Sequence, residues 1–287
     1  DDRYVGRQSG IMFAMNDMER IEVLKGPQGV LFGRNSTGGA VRVISNPVSD
    51  EMEGKISMSL GDYDYKKMEG MLNVPISDNF AIRATYQHRE REAFKKNIIA
   101  GGYDYDDLDQ SIARLRAKWT ISDDTSVELS HMFASMKDMS NAGAVSADTG
   151  NSRGISLGGI TTTRRDQIAS STTAVELNPD GPKRYMDSTA IRIDTVVGGY
   201  DVVLFANDSM NDERFFGDYD ATSLNDVDVA LTENMSDETG AGLEISSNND
   251  GRLNWIAGVN YFEQEVNYDF DLRLGVIGGG NVATSTA

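Results

Sequence analysis

The chain has 287 residues, a formal net charge of −18, two histidines and no cysteine. It has no apolar run of 18 residues or more, so no membrane-spanning helix is expected. Disulfides, thiolate metal sites and cysteine nucleophiles are excluded, and the acidity argues against a duplex nucleic-acid binder. The mean hydropathy of −0.41 suits a soluble domain, but it suits a membrane β-barrel equally, because a barrel averages an apolar outer face with a polar lumen and loops.

Residues 1–50 are dense in glycine and carry short, irregular elements. Ile21, Val23 and Leu24 read as a strand. Pro27 suits the first position of one helical turn. Gly26, Gly29, Gly33, Gly38 and Gly39 permit turns or close backbone approach, and Val41, Val43 and Ile44 form a returning strand. The glycines fit no nucleotide motif. Three residues separate Gly29 from Gly33, where a P-loop needs four, and the dinucleotide spacing is absent.

From residue 53 to about 270 the pattern is strand-like, with apolar and polar residues alternating. Nine strands are expected. They are carried in order by Ile56–Leu60, Met68–Val74, Phe80–Tyr86, Ala113–Trp119, Val127–Phe133, Ile191–Ile193, Val202–Ala206, Ala241–Ile245 and Leu253–Tyr261. Short turns (Pro75–Asn79, Ser122–Thr125, Val197–Gly199, Ser247–Arg252) alternate with long polar stretches, expected as loops at Glu90–Asp107, Met136–Met186 and Asp208–Asp237. Short turns on one side and long loops on the other is the habit of an outer-membrane barrel. Phe80, Trp119, Tyr200 and Trp255 sit beside the short turns on the apolar parity, as a lower aromatic girdle would, and Tyr86, Phe133 and Tyr261 suggest an upper one. His131 is an exception on that parity and reads as interfacial or misregistered.

The stretch Glu19-Arg20-Ile21-Glu22-Val23-Leu24-Lys25-Gly26-Pro27, then Leu31-Phe32-Gly33 and Gly38-Gly39-Ala40-Val41, closely resembles the end of the plug domain in TonB-dependent outer-membrane receptors. Gly242–Ser247 and Trp255–Phe262 are similar to barrel strands of that family. The resemblance implies an all-β transmembrane antiparallel barrel, here about nine strands of 22, joined to the C-terminal half of a small α+β plug. Residues 1–50 would be plug and residues 51–287 barrel. Nine strands is an odd count and too small a ring for a plug, so the chain is expected to be an internal piece of such a receptor.

By the resemblance, the function is TonB-dependent import of a scarce nutrient, a ferric siderophore first, with cobalamin, haem or carbohydrate as alternatives. A passive porin or a soluble secreted β-domain is the alternative of another class. No catalytic set is visible, so no enzyme is expected. No cofactor is expected either, since iron would be cargo. The implied partners are the TonB–ExbB–ExbD complex, the small ligand, and outer-membrane lipid and lipopolysaccharide.

Tyr4, Arg7 and Gln8 align with a plug apex that touches substrate, or else pack against the wall. Glu19, Arg20, Glu22 and Arg34 read as plug–wall anchors. Lys55, Lys67, Arg83, Arg114, Arg116, Lys118 and Arg192 share the lumen parity with Glu69, Glu128, Asp194 and Glu244. That wall is either basic and attractive to anions or a nearly balanced polar surface, and the second reading is preferred. Residues 208–238 hold ten acids and one base, read as a solvated acidic loop with divalent-cation binding as the alternative. Phe215, Phe216 and Tyr219 in that stretch are candidates for substrate capture. Asp104, Asp106, Asp107 and Asp109 lack the glycine an EF-hand needs.

Overall fold

The computed structural model describes residues 15–27, 29, 36–98, 104–137, 167–168, 183–218, 227–248, 253–276 and 280–282. The N-terminal hairpin comprises β1 (Met18–Lys25) and β2 (Gly39–Ser45), paired antiparallel from Arg20↔Ile44 to Lys25↔Gly39. The strands that follow are β3 (Glu53–Gly61), β4 (Tyr65–Ser77), β5 (Phe80–Arg91), β6 (Lys96–Asn97), β7 (Leu108–Ser122), β8 (Thr125–Lys137), β9 (Gln167–Ile168), β10 (Lys183–Val197), β11 (Tyr200–Asp218), β12 (Val227–Ser247), β13 (Ile256–Val276) and β14 (Gly280–Val282). β6 and β9 pair in parallel. The other ten form one open antiparallel sheet in chain order, with β3 and β14 at its edges.

All nine expected strands are present in that sheet, and β14 is an addition. Its residues fall in a stretch without alternation, so the pattern gave no sign of it. The β10–β11 turn shows how the register is set. Gly198 and Gly199 both have positive φ, 62° and 82°, and Val197 faces Tyr200 directly. Two central residues with φ > 0 make the turn whose twist matches the flanking strands. Register then carries outward parity across the sheet in unbroken rows. One runs Phe80, Trp119, Val127, Ile193, Leu204, Leu243, Val259, from β5 to β13.

The two faces are inverted relative to a soluble protein. Arg83, Gln87, Gln110, Arg114 and Arg116 are buried on the inner parity, Arg83 to 4% exposure, while Leu115 on the outer parity is 54% exposed, and Trp119, Leu129 and Val259 are exposed with it. An exposed apolar area of this extent needs an apolar solvent. The girdle residues Trp119, Tyr200, Trp255, Tyr86, Phe133 and Tyr261 all stand exposed on the outer face, and the Tyr200 and Trp255 rings lie 5.6 Å apart. His131 is in register. It faces outward, bonds Thr189 Oγ1 at 3.0 Å and approaches Asp187 at 3.7 Å.

Two expectations are corrected. The stretch Asp208–Asp237 is largely not a loop. β11 continues to Asp218 and β12 starts at Val227, and their ladder runs on through Arg214↔Glu233 to Asp218↔Asp228. β11 has 19 residues, about 60 Å of strand, more than twice the ~25 Å apolar band. Beyond Ala206 both faces turn polar (Asp208, Ser209, Asn211, Asp212), so alternation vanishes while backbone pairing persists. Leu253 and Trp255 precede β13, which begins at Ile256.

The buried apolar cluster is also on the inner side. Ile112, Met132, Ala134, Met136 and Met186 pack together towards the far ends of β7, β8 and β10. On these strands apolar parity switches from the outer to the inner face along their length.

Candidate functional site

The functional geometry lies where the hairpin meets the wall. The two ends of the β1–β2 hairpin come together, because antiparallel pairing places the residues before β1 beside those after β2. Asn46 N–H donates to the Asp17 carbonyl at 3.0 Å, and Asn46 Nδ2 donates to Asp17 Oδ1 at 2.9 Å. Asp17 holds a left-handed backbone, φ 53°, a conformation that Asp tolerates better than most residues.

Each of these feet is gripped by the inner face. Arg83 on β5 donates from Nε to Asp17 Oδ2 at 2.7 Å and from Nη2 to Oδ1 at 2.8 Å, a two-pronged guanidinium–carboxylate pair. Its Nη1 reaches Glu53 Oε2 at 3.5 Å. Asn16 Nδ2 donates to Thr85 Oγ1 at 3.2 Å. On β7, Arg114 Nη1 donates to Ser45 Oγ at 2.6 Å, and Arg116 donates to the Asn46 carbonyl while pairing with Glu128. The connection to β3 is fixed as well. Asn73 accepts from Ser49 N–H and donates to the carbonyls of Ser49 and Glu51 at 2.8 and 2.7 Å. Burial pushes the Asp17 carboxyl up, but the bonds from Arg83 and Asn46 outweigh it and hold the group below the usual carboxylate range.

Of the expected anchors, Glu19, Arg20 and Glu22 are among the described residues. Arg20 pairs with Glu19 at 2.9 Å and Glu22 at 2.8 Å, and Glu22 with Arg42 at 3.1 Å. These pairs lie along the hairpin itself: Arg20 and Glu22 at i, i+2 share one face with Arg42, which faces Glu22 on β2, and Glu19 is the chain neighbour of Arg20. The hydrogen bond from Arg20 holds Glu22 below the usual carboxylate range. Arg34 lies outside the described residues, as do Tyr4, Arg7, Gln8, Gly33 and Tyr219. Phe215 and Phe216 are on β11. The alternation placed Arg83, Arg114 and Arg116 on the inner parity but gave no sign of Asp17 and Asn46, which lie in polar connections without periodicity, or of the contacts of Asn73, which sits on the polar parity of β4.

The motif glycines divide by geometry. Gly39 has φ +146°, and a Cβ there would lie 2.4 Å from the Leu24 carbonyl oxygen. Gly26 also has positive φ, 88°, but open space around it, and Gly29 and Gly38 are unobstructed. Gly39→Ala is therefore expected to destabilise the hairpin by ~1–3 kcal/mol, clearly more than Gly26→Ala. Protease sensitivity of the hairpin in the two variants checks the order.

Elsewhere on the inner face, several opposite charges pair. Lys67–Glu69, Arg184–Glu213 and Arg192–Asp194 pair at 2.7–2.8 Å, in keeping with a nearly balanced wall. Gly240 and Gly242 leave room for Asn207 and for the Phe205 ring. Asp104 is held by Lys96 and the Asn97 N–H, which lower its carboxyl against the raising effect of burial. Among the described residues no group of three His, Asp or Glu is placed to hold a metal ion.

Residues 1–40 match the family model for the TonB-dependent receptor plug domain. The chain is thus similar to TonB-dependent receptors, in the plug-domain match over residues 1–40 and in the fold of the strands that follow. Among curated relatives, the iron-regulated outer membrane virulence protein of Vibrio cholerae is 24% identical over 172 residues, 57% of this chain and 25% of that protein. The metal-pseudopaline receptor of Pseudomonas aeruginosa is 26% identical over 112 residues, 38% of this chain and 15% of that protein. The chain thus spans a quarter or less of these relatives. Among solved structures, the ferric yersiniabactin uptake receptor of Yersinia pestis superposes with TM-score 0.67 at 15% identity, over 90% of this chain and 38% of that one. The siderophore receptor PiuA of Acinetobacter baumannii gives 0.66 at 14%, over 89% and 36%. At these identities the structures establish the fold, and in a barrel of that fold an outward apolar face is the one turned to lipid.

Proposed function

We propose that this chain is part of an importer that carries a metal chelate, a ferric siderophore in the first instance, across the bacterial outer membrane. The hairpin clasped to the inner wall carries this reading, because a passive pore has no use for a plug. A soluble β-domain is equally disfavoured by the exposed apolar rows. In this reading residues up to about 50 are plug and the rest barrel. Substrate is captured at the outer ends, and the TonB–ExbB–ExbD complex drives plug movement. Iron enters as cargo within the chelate, with no resident cofactor.

Support for the substrate class comes from relatives and neighbours, several of which are named as metal or siderophore receptors. Cobalamin, haem and carbohydrate remain the competing cargos of the same fold. The test is binding by the full-length receptor, in cells lacking other uptake routes, of a panel of ferric siderophores against cobalamin and haem. Saturable binding of a ferric siderophore, with uptake abolished when TonB is deleted, is expected. Uptake of cobalamin or haem alone, or uptake independent of TonB, contradicts it.

A further inference from the structure

Three inner-face arginines converge on the feet of the plug hairpin. Arg83 and Arg116 stand directly opposite each other on β5 and β7, and Arg114 is the next inner position on β7. Like charges directly opposite repel, so this arrangement needs anions. Arg83 has the plug's Asp17 and, more distantly, Glu53. Arg116 has Glu128. Among the described residues no carboxylate lies within ion-pair distance of Arg114. It is buried, and its described partners are the Ser45 hydroxyl and, at 3.4 Å, the Met132 sulfur, a weak acceptor. Among the described residues, the one carboxylate that reaches this cluster from the plug is Asp17. The others belong to the wall.

The balance changes when the plug is displaced. Arg83 then keeps only the 3.5 Å contact with Glu53, and Arg114 loses its hydroxyl. What remains is a wall patch of three forked cations facing two carboxylates, in a geometry that has just held a carboxylate by two parallel bonds. We propose that Arg83, Arg114 and Arg116 form an oxyanion site on the lumen wall. Asp17 fills it at rest, and a carboxylate or similar oxyanion group of the cargo fills it when the plug moves. This rests on the reading of the chain as a plugged importer. It adds a transit site below the outer capture surface, selective for anionic chelates.

Acetate, the smallest carboxylate, is the probe. In the full-length receptor, Asp17→Ala opens the space that the carboxylate held. Sodium acetate is expected to raise the thermal midpoint of this variant saturably, compared with equal sodium chloride, and to leave the wild type unmoved. Adding Arg114→Gln is expected to weaken the acetate response by roughly tenfold, the worth of one charge-assisted hydrogen bond. Asp17→Asn, which keeps the side-chain volume, carries the same comparison with a smaller shift should the alanine variant fail to assemble. An acetate response no greater than that of the wild type in both variants overturns the site. For the chelate identified by the binding panel, Arg114→Gln is expected to reduce energised uptake more than surface binding. An equal effect on the two overturns the transit role. A receptor that binds no metal chelate refutes the proposed function, while the acetate comparison still decides the anion site.

Discussion

Arg83→Ala in the full-length receptor is expected to destabilise the plug–wall seam by about 3–5 kcal/mol, the cost of leaving one member of a buried ion pair alone. The magnitude follows from the burial of both partners and from the two-pronged geometry, at 2.7 and 2.8 Å. Double replacement, Asp17→Asn with Arg83→Met, is expected to cost less than the sum of the singles, because no unpaired charge remains. Urea titration with a reporter on the hairpin reads each variant. Equal, additive effects below about 1 kcal/mol would place the pair among surface ion pairs and dissolve the latch.

The same pair sets a pH dependence. The Asp17 carboxyl is held below its ordinary range in the folded protein. Its contribution is therefore fully present above the unfolded carboxylate value, about 3.9. It is lost as pH falls through the lower, folded value. The seam is expected to stay closed down to mildly acidic conditions and to loosen only below that value. Asp17→Asn is expected to remove this component of the acid sensitivity.

Leu204→Arg is the second large effect. Leu204 lies in the outward row between Ile193 and Leu243, in the middle of the apolar band. A charge facing lipid at the midplane costs ~2–4 kcal/mol, so assembly into vesicles is expected to fall sharply. The neighbouring Val203→Lys places its charge on the inner face, opposite Asp194 and Glu244, and is expected to assemble nearly as the wild type does. Yield of heat-modifiable, folded receptor in outer-membrane fractions compares the two. Similar losses would contradict the assignment of faces.

The membrane-crossing part of the fold was legible because one face must be apolar, and period-two alternation records that demand directly. Phe80, Trp119, Tyr200 and Trp255 even marked one edge of the band. Legibility ended where the demand ends. Beyond Ala206 the β11–β12 hairpin carries mostly polar residues on both faces while its backbone ladder continues, so its acids read as a loop. The plug was legible through its glycines, since Gly39 cannot carry a side chain against the Leu24 carbonyl. The seam was half legible. Wall parity located Arg83, Arg114 and Arg116, but their partners are Ser45, the last residue of β2, and Asp17 and Asn46 in the aperiodic connections beside it, whose positions only the folded hairpin defines. Glu19, Arg20 and Glu22, charged and within the motif, make their described ion pairs within the hairpin, while the described contacts with the wall fall at the hairpin's ends.

The most direct test of the central claim is an accessibility scan along β11. Single spin labels are placed in turn at residues 202–207 of the full-length receptor in lipid vesicles. The account predicts a period-two pattern, with labels at Val202, Leu204 and Ala206 open to lipid-dissolved oxygen and those at Val203, Phe205 and Asn207 shielded from it. Uniform accessibility, or the opposite alternation, would contradict a lipid-facing sheet whose polar side clasps the plug.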